Sequence, residues 1–97
     1  MYTVTAEVWR HSGPSGWHFV TLPADVADEV RARTIARPFG SVAARVTVGG
    51  VAWETSLFAD TKRGSYLLPL KADVRRRAKI AAGDTVTLTI ALADPVG

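Results

Sequence analysis

The sequence contains no cysteine and only two histidines. The first absence excludes disulfide staples and thiolate metal sites. The second leaves too few imidazoles for a zinc site built mainly from them, and no cofactor is expected. No apolar run approaches the roughly 18 residues that suggest a membrane span. The opening Met1-Tyr2-Thr3-Val4-Thr5-Ala6-Glu7 also lacks the basic-then-apolar pattern of a secretory leader. A soluble, cytoplasmic chain with no membrane partner is expected.

What is there is an ordinary globular balance, 47% apolar and 22% charged, rather than the polar excess of a disordered chain. Ninety-seven residues suffice for one domain and not for two. The expected domain is residues 1–97, with related halves at roughly 1–50 and 51–97. A net charge of +3 raises an anionic partner but also lies within the range that keeps a small domain soluble.

Residues Tyr2 to Trp9 alternate, with Tyr2, Val4, Ala6 and Val8 on one face, and read as a half-buried strand. Gly13, Pro14 and Gly16 mark a loop, and Trp17 to Leu22 returns as the hairpin partner. Pro23 ends that strand and suits a helix start. Ala24 to Arg33 has Val26, Ala27 and Val30 at helical spacing, acids early and arginines late, the order the helix dipole prefers. Pro38 closes the region behind it. Gly40 opens a third strand, in which Val42, Ala44, Val46 and Val48 share a face. Gly49-Gly50 is a hairpin signal, and Val51 to Phe58 is the fourth strand. Asp60 to Gly64 is turn-like. Ser65 to Leu70 is a fifth strand, Ala72 to Lys79 a second helix and Thr85 to Leu92 a sixth strand. Asp94 to Gly97 reads as a frayed tail.

The two halves resemble each other. Leu22-Pro23-Ala24-Asp25-Val26 and Leu70-Lys71-Ala72-Asp73-Val74 both stand where a strand hands over to a helix, and Asp25 or Asp73 could favour its helix start. A strand–helix–strand unit of this size cannot cover its own apolar face, whereas two units about a pseudo-twofold axis can. The expected fold is mainly β: a barrel-like domain of six or seven strands, two pseudo-twofold halves and two short capping helices.

Two families share parts of this pattern. Tyr66 to Arg77, followed by Ile80, Gly83 and Asp84, resembles the swapped-hairpin AbrB type of regulator, whose members bind DNA as intertwined dimers. That resemblance covers about the last third. Trp17 to Pro23, Val46 to Leu57, Gly64 to Arg75 and Gly83-Asp84 are similar to the bacterial domain-of-unknown-function family nineteen-oh-five, over nearly the whole chain. The stretch from Thr34 to Phe39 departs from that family's pattern. The second resemblance implies a double-split β-barrel with two helical caps, complete in one chain and therefore monomeric. It implies no activity; members occur alone or fused to a bacteriocin-protection type module, so the partner is left open, a protein partner or a fused module being the candidates.

The candidate anion-binding set is Lys71, Arg75, Arg76, Arg77 and Lys79, five cations beside one acid, Asp73. Arginine fits phosphate oxygens bidentately, and Arg75 and Lys79 share a helical face. The plainer reading is a solvated face with cations near a helix C-terminus. The matching helix carries Asp25, Asp28 and Glu29, so a symmetric duplex footprint would be half acidic and nucleic acid is disfavoured. Trp17 and Trp53 are expected in the core, with polar tips each finding one partner; Trp9 is less clearly placed. Glu54 and Arg75 are a candidate ion pair. His18 and the serines lack any nucleophile-elbow context, so no enzyme is expected. The leading reading is a non-enzymatic binding or adaptor domain; the alternative is nucleic-acid binding through Arg75 to Lys79.

Overall fold

Period-two alternation governs most of this chain, and wherever it occurs the structure forms a strand. The computed structural model describes residues 1–33 and 41–92. The expected strand start at Gly40, the stretch Thr34 to Phe39 and the tail from Asp94 lie outside them. Among the described residues the elements are β1 (Tyr2–Arg10), β2 (His18–Thr21), α1 (Ala24–Arg33), β3 (Ser41–Val48), β4 (Val51–Asp60), β5 (Ser65–Pro69), α2 (Ala72–Ala78) and β6 (Thr85–Leu92).

The six strands close into a barrel in the order β1-β2-β5-β4-β3-β6, every pairing antiparallel. Closure removes the exposed edges through which open sheets recruit other strands. Exchanging β1, β2 and β3 for β4, β5 and β6 leaves every neighbour relation unchanged. The β2–β5 register repeats this symmetry residue by residue. Val20 faces Leu68 on the axis, and the flanking pairs Phe19↔Pro69 and Thr21↔Leu67 exchange with each other. Two backbone hydrogen bonds mirror one another in the same way, Leu22 N–H to the Tyr66 carbonyl at 3.0 Å and Leu70 N–H to the His18 carbonyl at 2.9 Å.

The barrel interior is filled by the inward set of each strand, including Val4, Val20, Val46, Leu57, Leu68 and Ile90, all at most 1% exposed. Burying each such side chain stabilises the fold by about 1.5–3 kcal/mol. Helix α1 adds Ala27 and Val30 to this core and packs on β5; α2 adds Val74 and packs on β4. The Gly49-Gly50 turn takes φ of 55° and 80°, the left-handed geometry that glycine adopts without a Cβ clash.

Several expectations need correction. Trp17 is not core: it is 52% exposed and lies just before β2. Val20 and Leu22 occupy the inward phase, which turns Trp17 and Phe19 outward. Trp53 does pack against the core, yet its Nε1 and the Tyr2 hydroxyl are buried with no hydrogen-bond partner among the described residues. Helix α2 stops at Ala78, and Lys79 caps it in the left-handed conformation at φ 58°. Lys79 therefore does not continue the face of Arg75. Glu54 pairs with Arg45 at 3.4 Å across β3–β4, not with Arg75.

Candidate functional site

Outward-facing positions on four adjacent strands carry apolar groups where solvent-facing residues would be polar. Trp9 on β1 faces Phe19 on β2, and Leu67 on β5 faces Phe58 on β4. The pseudo-twofold axis through Val20 and Leu68 relates Phe19 to Leu67, and hence their partners Trp9 and Phe58. The two halves thus contribute equivalent residues to one band across the barrel's outer surface.

Trp17 extends this band. Its ring stacks on Phe19, with centroids 6.0 Å apart and planes 10° from parallel. Trp9 tilts against Phe19 at 5.1 Å, and its Nε1–H donates to Thr21 Oγ1 at 2.9 Å. That bond fixes the indole orientation. The Arg63 guanidinium lies 5.1 Å from the Trp9 ring centroid, a cation–π distance, and Arg63 is also bound to Asp60 at 3.1 Å. Between the β1–β2 loop and the β4–β5 turn these rings floor an open cleft of about 840 Å³, with His11, Ser15 and Lys62 among its walls. Phe58 is 44% exposed at its side.

A smaller cleft of about 240 Å³ adjoins it, sharing Ser15 and Trp17 and lined also by His18, Lys71 and Arg75. Arg75 is half-buried there. Its Nε–H donates to the Leu70 carbonyl at 3.1 Å, and its Nη1 lies 3.4 Å from His18 Nε2. His18 Nδ1 lies 2.7 Å from the Gly16 carbonyl, so Nδ1 donates and Nε2 is left to accept from Arg75.

The candidate anion set is therefore divided. Lys71 and Arg75 line the small cleft. Arg76 and Arg77 both reach Asp73, at 2.6 and 3.7 Å, on the exposed side of α2. Lys79 ends the helix. Asp73 neutralises part of the run that the sequence presents as basic. Among the described residues no three His, Asp or Glu side chains are grouped as metal ligands, and no helix is long and apolar enough to cross a membrane.

The family model for the Domain of unknown function (DUF1905) matches residues 5–90, a span that includes both helices and reaches from β1 into β6. The chain belongs to this family. Among curated proteins, none matches the sequence. The DUF1905 family carries no assigned activity, so what this barrel does must be argued from its surface. Among the cleft residues that sequence reasoning passed over in this DUF1905 domain are Phe19, Phe58, Lys62 and Arg63. A signal for Phe58 was present: like Trp9, it stands out of phase with the inward residues of its own strand.

Proposed function

We propose that this DUF1905 domain is a small, monomeric, cytoplasmic binding module without catalytic activity, and that its contact surface is the outer aromatic cleft. The observation that carries this reading is the placement of Trp17 and Phe58, exposed beside Trp9 and Phe19, on the outside of a barrel whose interior is lined by a separate set of buried apolar residues. Leaving a large apolar side chain in water forgoes about 1.5–3 kcal/mol of burial. A contiguous apolar patch with a polar rim is the usual mark of an interaction site. The basic run on α2 supports binding less well, because Asp73 neutralises one of the two charges of Arg76 and Arg77 and neither arginine lines the aromatic cleft.

Anilinonaphthalene sulfonate, a flat apolar anion, provides the test. The native domain should enhance its fluorescence. Trp17→Ala combined with Phe58→Ala should remove most of that enhancement, and Arg76→Gln with Arg77→Gln should leave it in place. Absent dye binding, or binding indifferent to the aromatic pair, would contradict the assignment. Broad substrate panels should show no turnover above background; reproducible turnover would contradict the non-catalytic half of the proposal.

A further inference from the structure

We infer that the occupant of the aromatic cleft is a single-stranded nucleic acid, its bases stacked on the rings and its phosphates held by the cations at either end. This rests on the preceding reading of the cleft as the contact surface. Four cations line the two adjoining clefts, Lys62 and Arg63 on one side and Lys71 and Arg75 on the other. A single carboxylate, Asp60, joins them there, and Arg63 already binds it. Between these pairs lie Trp9, Phe19 and Trp17, the last two nearly parallel.

Rings between cations match the chemistry of a single strand. Its backbone carries regularly spaced negative charge, and its unpaired bases offer flat faces that stack on aromatic side chains whatever their sequence. A duplex keeps those faces covered by neighbouring base pairs and could use only the cations. Strand addition by an extended peptide is excluded, because it needs a free sheet edge and this barrel is closed. Nothing in the cleft distinguishes ribose from deoxyribose, so RNA and DNA strands share the required chemistry. The site is distinct from the arginine-rich face of α2, since neither Arg76 nor Arg77 lines either cleft.

Fluorescein-labelled oligothymidylate and oligouridylate of about ten nucleotides, within the span one barrel-sized module covers, serve as probes. Anisotropy at low salt should report binding of one or both, with the corresponding duplex weaker. Trp17→Ala should weaken binding roughly 5- to 150-fold, the range for losing one stacked base. Lys62→Glu with Lys71→Glu should also weaken it and flatten its salt dependence, which in the native domain should follow about −0.7 per phosphate engaged. All three substituted residues are exposed, and circular dichroism should show each variant folded like the native domain. If neither strand binds while anilinonaphthalene sulfonate still does, the ligand class is wrong and the cleft stands. If neither strand nor dye binds, the underlying reading falls too. Binding that survives Trp17→Ala, or that is at least as tight for the duplex, also overturns the inference.

Discussion

Leu67 and Leu68 are neighbours of one chemical type, and the barrel assigns them opposite fates. Leu68 is fully buried and faces Val20 on the pseudo-twofold axis. Leu67 is half-buried and belongs to the floor of the outer cleft. Leu68→Ala removes apolar groups worth about 2.4 kcal/mol at roughly 0.8 per buried carbon, and the residual cavity brings the expected cost to about 3–4 kcal/mol. A domain of this length has about 5–15 kcal/mol in total, so the variant should remain folded but lose roughly 15–25 °C in melting temperature. Leu67→Ala should cost about 1 kcal/mol. Urea unfolding followed by tryptophan fluorescence measures both, with an unchanged m-value as the check that only stability has moved. A Leu67→Ala cost equal to or greater than that of Leu68→Ala would refute the assignment of faces on β5, and with it the register through the axis.

Three further substitutions test local devices. Ser65 is buried, and its hydroxyl donates to the Leu22 carbonyl at 2.7 Å, so Ser65→Ala should cost about 1–2 kcal/mol. Thr5→Ala, which removes the exposed Thr5–Thr87 hydroxyl contact, should change urea stability by less than about 0.5 kcal/mol. Lys79 holds a left-handed backbone at the end of α2, a geometry glycine adopts without penalty. Lys79→Gly should therefore stabilise the domain by about 1 kcal/mol in the same assay, and destabilisation would mean that the lysine side chain makes a contact of its own.

The strands were legible because their inward residues keep strict phase: Val4 and Val8 in β1, and Val42, Ala44, Val46 and Val48 in β3, are all buried. Helix α1 was equally legible, bounded by Pro23 and spaced by Ala27 and Val30. The Ala-Asp-Val repeat pointed to two related halves, and the connectivity of the barrel is twofold in that sense. Trp17 was harder, because alternation fixes two faces but does not say which one is the interior when both carry large apolar groups. Only the pairing of β2 between β1 and β5 turns Val20 inward and leaves Trp17 and Phe19 outside. The division of the basic run was illegible for a different reason. Helical spacing brings Asp73 within reach of Arg76 and Arg77, but whether α2 ends before Lys79 and how deeply Arg75 is buried depend on packing against the rest of the barrel.

The central claim is that this domain receives its ligand on the aromatic face of the barrel and not on the arginine face of α2. Amide and indole correlation spectra of the isotopically labelled chain, titrated with oligothymidylate, test it residue by residue. The account predicts that the indole signals of Trp9 and Trp17 and the amides of Lys62 and Arg63 move together, while Arg76 and Arg77 stay still. Movement confined to α2, with both indoles unchanged, would contradict it.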